Sequence, residues 1–514
     1  MLARVRSYGI NGVSGYAVMV EVDVSNGLPS YETVGLPDAA VRESKERVRA
    51  AIQNSGFEYP ASRIVVNLAP ADKKKEGTFY DLPIAVGVLC ATGQLAQERI
   101  DDFLFLGELA LDGKLRPIRG VLPMVIDAYA SGLRMGILSQ DNAAEAAYIG
   151  GFHAYPMQSL KQAAEFITGG ADIAPSPPRA WNGRAVRYAS DFALLKGQQG
   201  AKRAAEVAAA GGHNLLLTGV PGSGKTMLAR SIPSILPDMT FEEALEVTKI
   251  HSVAGALPAG GGLVEERPFR APHHSASAVS LIGGGQRALP GEISLAHYGV
   301  LFLDELLEFR KDTLESLRQP LEDGIVTIAR SNAKSTYPAQ FMLVAAMNPC
   351  PCGYYGSRTA ACRCTPPQIL RYQGRVSGPL LDRIDIHVEM TEVAYADIAA
   401  YKGGEPSADV RRRVESARRI QRERYSDDGI RFNAQLNARL LRRYCRLGAK
   451  GEALLEGAYN RFGLSVRAYS RIIKVARTIA DLCGEKDITE DHIAEAIQYR
   501  NTQSKFGRDY RQGL

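Results

Sequence analysis

The sequence has one tryptophan, Trp181, and only seven cysteines in 514 residues. It has no low-complexity tract, and no apolar run reaches the roughly 18 residues that a membrane-spanning helix needs. The longest such run lies near residues 82–95. The opening stretch MLARVRSYGINGVSGY has no apolar core of secretory length. These absences predict a cytoplasmic protein with no membrane partner. In that compartment paired cysteines serve as metal ligands or free thiols more often than as structural disulfides. What is present is ordinary for a globular chain, with 45% apolar residues and a net charge of +6. The charge is uneven: RRRVESARRIQRER, residues 411–424, sets seven arginines against Glu415 and Glu423. Such a block fits polyanion binding, or a solvated helix face opposite the apolar stripe Val414, Ala417 and Ile420.

At roughly 150 residues per domain, the length implies two to four domains. Residues 1–172 alternate short β-rich runs (17–24, 64–68, 103–106, 136–138) with helical ones such as 38–53. The stretch APSPPRAWNG, rich in proline and small residues, marks a linker over 173–189. Residues 190–392 alternate buried-type strands with helices, the pattern of a mostly parallel sheet. Residues 393–514 read as helical. The predicted fold class is therefore multidomain α/β with a C-terminal all-α part.

The strongest signal is LLLTGVPGSGKT, residues 215–226, which fits G-x-x-x-x-G-K-[ST] between an apolar strand and a helix. Gly219, Val220, Pro221, Gly222, Ser223 and Gly224 form a loop whose backbone N–H groups can turn towards phosphate oxygens. The helix start adds its positive dipole end. Lys225 supplies a charge to the β and γ phosphates, and Thr226 a hydroxyl to magnesium. GVLFLDE, residues 299–305, is an apolar strand ending in two acids. Asp304 suits the magnesium shell and Glu305 the attacking water, the two groups that in-line attack on a γ-phosphate requires. Asn348, after the strand-like run 341–347, offers a neutral amide to the water or phosphate. Arg383, in SGPLLDRID, fits an arginine reaching a neighbouring subunit's nucleotide, or a surface pair with Asp382 or Asp385. ATP and magnesium are the implied cofactors.

These motifs resemble those of AAA+ ATPases. AAMNP at 345–349 and GPLLDR at 378–383 are similar to the magnesium-chelatase ATPase subunit and its relatives, and the whole chain resembles the ComM/YifB branch of that group. The resemblance implies a Lon-protease-like α+β domain, an AAA+ P-loop core with a parallel sheet, and a helical lid. It implies a homo-hexameric, ATP-driven DNA motor of helicase or branch-migration type, acting on single-stranded or branched DNA during natural transformation. Arg383 matches the family's trans arginine. Arg467, in SVR, matches its second sensor, with Arg471 a near alternative. GELALDGKLRPI, 107–118, resembles the Lon-type pattern, yet alignment sets Phe79 at the serine position and Leu122 at the lysine position. Neither side chain can perform the chemistry, so a protease fold without protease activity is expected. Lys73–Lys75 beside it form a DNA-contact candidate or a solvated loop.

Two other classes compete with the DNA motor: a metal-chelatase motor subunit and a protein-remodelling ATPase. The resemblance implies that chelatase subunits lack the N-terminal domain and have a shorter stretch between Asn348 and Arg383. A remodelling ATPase predicts an aromatic-hydrophobic pore loop, and none stands out. The candidate pore element is instead a polar hairpin over 323–338, with Arg330, Asn332 and Lys334 at its tip, suited to tracking phosphates or to a plain solvated turn. A second glycine-bounded arm, 260–285, holds the adjacent His273 and His274, which suggest a metal ligand pair but are read in preference as a polar loop. The cysteine-rich insertion 350–364 carries Cys350, Cys352, Cys362 and Cys364. Two C-x-C pairs separated by nine residues suit a closed, structural zinc site, or free or redox-active thiols.

Overall fold

The computed structural model describes residues 1–181, 188–257, 262–285, 288–330, 333–393 and 403–505. The chain forms two compact units, Met1–Gly183 with Thr240–Val264, and Arg184–Met239 with Glu265–Leu514. The chain thus leaves the second unit just after the P-loop helix and returns to it at 265. The excursion is built around the helix Phe241–Ala254. A reciprocal capping box of Thr240 and Glu243 opens this helix, and Gly255 closes it in the left-handed region at φ 69°. It joins the first unit because its buried face meets that core: Ser252 Oγ donates to Glu145 Oε1 at 2.6 Å.

The first unit contains a seven-stranded mixed sheet in the order Ser30–Val34, Arg63–Ala69, Ser14–Ser25, Leu2–Asn11, Phe103–Phe105, Met135–Ser139, His153–Met157. Its central pair, Leu2–Asn11 and Ser14–Ser25, is antiparallel in full register from Leu2↔Asp23 to Asn11↔Ser14. The longest apolar run of the sequence becomes the helix Asp81–Ala91, buried along its whole length. Each buried Leu, Ile or Val side chain there contributes about 1.5–3 kcal/mol. That environment explains an apolar run too short to span a membrane. Among the described residues no helix is long and apolar enough to do so.

The second unit is built on a five-stranded, all-parallel sheet in the order Phe269–Arg270, Val300–Leu303, Met342–Met347, Leu215–Gly219, Ile386–Met390. The strand earliest in the chain sits between the two latest, so the strand order reverses beside it. In open α/β sheets ligands bind at that switch point, beyond the carboxyl ends of the strands. Gly219, Asp304 and Asn348 all lie at those ends. Beyond the sheet come only helices among the described residues: Ser407–Arg424, Ala438–Tyr444, Ala449–Phe462, Val466–Cys483 and Glu490–Lys505. Ala-rich Gln199–Gly211 lets these helices approach the sheet closely, and the whole forms one apolar core.

Candidate nucleotide site and its surroundings

The P-loop turns sharply because Gly222 and Gly224 adopt φ of 78° and 91°, where a side chain would be strained. Gly219 has a different reason: a Cβ there would lie 2.4 Å from the Met390 carbonyl oxygen. Lys225 Nζ donates to the carbonyls of Gly219 at 2.7 Å and Val220 at 2.9 Å, and to Asn348 Oδ1 at 3.3 Å. Burial lowers its pKa, and Asp304 opposes that shift. Ser223 Oγ is buried with no protein partner. A loop with a buried ammonium, an orphaned hydroxyl and left-handed glycines fits a polyphosphate. Thr226 Oγ1 donates to Asp304 Oδ2 at 2.8 Å, an oxygen-only pair of the kind a hard magnesium ion takes. The structure therefore gathers Lys225, Thr226, Asp304 and Asn348 from three strand ends, as the spacing predicts.

Glu305 takes a left-handed backbone at φ 51°, uncommon for a residue with a side chain. Its Oε2 lies 3.1 Å from His274 Nδ1. His274 stacks on His273, with ring centroids 4.0 Å apart. The sequence reading of this pair as a polar loop misses the contact. The only signal available was the adjacency of two histidines, and nothing in the chain order tied them to Glu305.

The arginines behave differently. Arg383 is buried; it pairs with Glu322 and donates from Nη1 to the Pro379 carbonyl at 2.7 Å. The alternative surface pair with Asp382 or Asp385 is not found among the described residues. Asp385 is taken by Arg471 and by His213 Nδ1 at 3.2 Å. Burial works against the Asp385 charge, but the Arg471 guanidinium and His213 outweigh it and hold the carboxyl well below its usual range. Arg471 is thereby committed to the fold. Arg467 is exposed, on the first turn of the helix that Ser465 caps by accepting from Ala468 N at 3.1 Å. Its charge is felt at Glu322, after that of Arg383.

Of the seven arginines in 411–424, most turn inward. Arg411 meets Asp238 at 3.0 Å, Arg413 meets Glu206 and Glu405, and Arg418 donates to the Ala209 carbonyl. Arg424 Nη1 reaches the fully buried Asp481 at 2.9 Å. Arg412, Arg419 and Arg422 are exposed. The solvated-face reading holds for this exposed side, opposite the buried Val414 and Ala417, while four of the seven arginines are taken up by protein partners. In the basic triplet Lys73 and Lys74 are exposed, as a solvated loop has them, with Lys74 paired to Glu76 at 2.6 Å and Lys73 over the Tyr16 ring, whereas Lys75 is fully buried. Phe79 and Leu122 are also buried.

The polar hairpin is an antiparallel pair, Ile325–Arg330 with Ala333–Pro338. Arg330 and Lys334 occupy its strands near the turn, and Asn332 lies outside the described residues.

The four clustered cysteines converge. Their sulfurs lie within 4.8 Å of one another and form no disulfide. Three sulfur–sulfur distances are 3.4, 3.6 and 3.7 Å. A tetrahedral zinc with Zn–S near 2.3 Å requires about 3.8 Å, so the donor set fits. The backbone N–H of Tyr354, then that of Arg363, draws the Cys352 thiol down to about 6, towards the thiolate that ligation needs. Burial pushes Cys362 the other way, to about 12.

Three family descriptions match the chain: "Magnesium chelatase, subunit ChlI" over 191–398, "Subunit ChlI of Mg-chelatase" over 20–142, and "Magnesium chelatase, subunit ChlI C-terminal" over 404–500. The chain is 47% identical to competence protein ComM of Haemophilus influenzae over 97% of both chains. It is 45% identical to the uncharacterized protein YifB of Escherichia coli over 95% of both. The chain belongs to the ComM/YifB family of magnesium-chelatase-like proteins. Similarity to the magnesium-chelatase 67 kDa subunit of Chlorobaculum parvum is narrower, 28% over 34% of this chain and 22% of that one. The ComM/YifB relatives are thus matched along almost their whole length.

Proposed function

We propose that this chain is an ATP-driven, homo-hexameric DNA motor of helicase or branch-migration type that promotes integration of DNA by recombination during natural transformation, in the cytoplasm. The observation that carries the reading is a P-loop constellation in a chain collinear with a competence protein over 97% of both lengths. The short match to a magnesium-chelatase subunit favours a chelatase role less.

In this reading Gly219–Thr226 cradle ATP, and Thr226 and Asp304 hold magnesium, which neutralises phosphate charge. Glu305 orients the attacking water, Asn348 senses the γ-phosphate, and Arg467 serves as the sensor within the same subunit. Arg383 acts on a neighbour's nucleotide, for which it must leave Glu322. Arg330, Asn332 and Lys334 track the DNA backbone. The first unit is a Lon-like fold without peptidase activity, since Phe79 and Leu122 cannot replace a serine and a lysine. The four cysteines hold one structural zinc.

The test is ATP turnover of the purified chain with and without four-way-junction DNA. Stimulation by junctions, lost as salt rises, is expected. Turnover blind to DNA would sink the motor reading and leave the nucleotide site standing.

A further inference from the structure

The cysteine loop is built onto the P-loop. Gly353, between Cys352 and Tyr354, adopts φ 84°, and a Cβ there would lie 2.8 Å from both Cγ and Cδ of Pro221. Pro221 is the residue before Gly222 in the phosphate loop, so backbone and ring are in direct contact. The cysteine loop is also tied down at its start and at its tip. At its start, Asn348 receives Lys225, and Gln373 Nε2 donates to the Pro349 carbonyl at 2.9 Å. At its tip, Ser357 Oγ and Thr359 Oγ1 donate to Glu392 Oε1 at 2.5 and 2.8 Å. Glu392 follows the strand whose last residue, Met390, packs on Gly219.

Between these ties the chain is held by short turns, with Gly353 N donating to the Cys350 carbonyl and Ser357 N to the Tyr354 carbonyl, both at 3.0 Å. Residues 351–365 contain no helix or strand, and only Cys350 and Gly353 are buried within 350–364. Backbone contacts to sulfur do part of the work: Tyr355 N lies 3.3 Å from Cys350 Sγ, and Cys364 N 3.4 Å from Cys362 Sγ. Sulfurs spaced at nearly the edge length of a zinc–thiolate tetrahedron are the geometry that one shared cation imposes. The conformation that presses Gly353 on Pro221 is therefore one that a bound metal sustains.

We propose that the metal held by Cys350, Cys352, Cys362 and Cys364 sets nucleotide affinity, by bracing Pro221 of the P-loop through Gly353. The proposal rests on the nucleotide and zinc readings above. With all four ligands supplied by cysteine the ion has no open position, so it acts on the loop's shape and takes no part in the chemistry. The site takes one soft-ligated divalent ion per chain, distinct from the magnesium at Thr226 and Asp304.

Three measurements test it on the full chain. Metal content is read by elemental mass spectrometry. Affinity for a fluorescent ATP analogue with magnesium is read before and after a chelator that removes zinc and spares magnesium. The same two readouts are taken on Gly353→Ala, which keeps all four cysteines and crowds Pro221. One zinc per chain is expected, with affinity about tenfold weaker after its removal and restored on re-addition, within the about 5–150-fold range of ordinary site coupling. Gly353→Ala is expected to keep its zinc and still bind nucleotide several-fold more weakly. Should chelation unfold the chain by circular dichroism, Gly353→Ala alone decides. Zinc present with affinity unchanged by both treatments would overturn the coupling and leave the metal site standing. A zinc-free chain, with four free thiols or with disulfides, would overturn both. A zinc-loaded chain that binds no nucleotide would refute the nucleotide reading and the proposal with it.

Discussion

Two cation-bearing regions of the second unit resolve their charge in opposite ways. At the P-loop a single ammonium, Lys225, is met by two backbone carbonyls and a neutral amide, which leaves its positive charge uncompensated at short range. Along Ser407–Arg424, four of the seven arginines are met by carboxylates or carbonyls from other elements. The first arrangement is prepared for an anion that is not protein. The second has its anions built in. Density of positive charge is therefore a poor guide to where a polyanion binds, and the partner of each cation is the better one.

The largest effect expected from breaking this contrast is at Glu305, which the proposed function assigns to the attacking water. Glu305→Gln should lower turnover by about 10²–10⁴-fold, the usual size of a lost acid–base group, while nucleotide affinity stays within about twofold. Fluorescent-nucleotide titration beside a phosphate-release assay separates the two, and normal turnover would remove Glu305 from the site.

Arg424→Ala comes next, because it strips one guanidinium from the fully buried Asp481. Breaking a buried pair costs about 3–5 kcal/mol. Here about 3 kcal/mol is expected, since Arg477 and Asn433 still hold Asp481. Denaturant unfolding reads it. A loss of DNA affinity with unchanged stability would show that Arg424 belongs with the ligand-facing cations after all.

The pH dependence of stability offers a third test, smaller for each pH unit. Burial, then the nearby Arg500, lowers His387 from 6.5 to about 3. The folded chain then binds fewer protons than the unfolded chain between about pH 3 and 6.5, so stability falls as pH drops through that window, by at most about 1.4 kcal/mol per unit. His387→Phe should flatten this slope in acid unfolding curves. An unchanged slope would place the titration elsewhere.

The smallest effect is expected where the basic helix faces solvent. Replacing Arg412, Arg419 and Arg422 together by alanine should change stability by no more than about 1 kcal/mol, and leave the salt dependence of junction binding as it was. A reduced salt slope would return part of this helix to the DNA interface.

The comparison also explains which features are legible in a sequence. Glycine, lysine and threonine at fixed spacing predict the phosphate loop because its chemistry is local: backbone N–H groups, positive φ and one short helix start lie within eight residues. Asp304 and Asn348 were equally legible, since each ends an apolar strand and parallel strands align their ends. The clustering of four cysteines was visible for the same reason. Arg383, the arginines of 411–424 and Lys75 were not. Their side chains are long enough to face either solvent or a distant carboxylate, and nothing near them in the chain says which. The contact of His274 with Glu305, and of Gly353 with Pro221, joins residues 31 and 132 positions apart.

By itself, then, the order of residues determined the phosphate loop, its acids, the family and the division into strand-rich and helical stretches, because those depend on short-range stereochemistry and periodicity. Tertiary structure alone decided which cations are already neutralised, that residues 240–264 pack with the first unit, and that the cysteine loop rests on the P-loop. Those outcomes depend on which distant surfaces the packed core brings within a few ångströms.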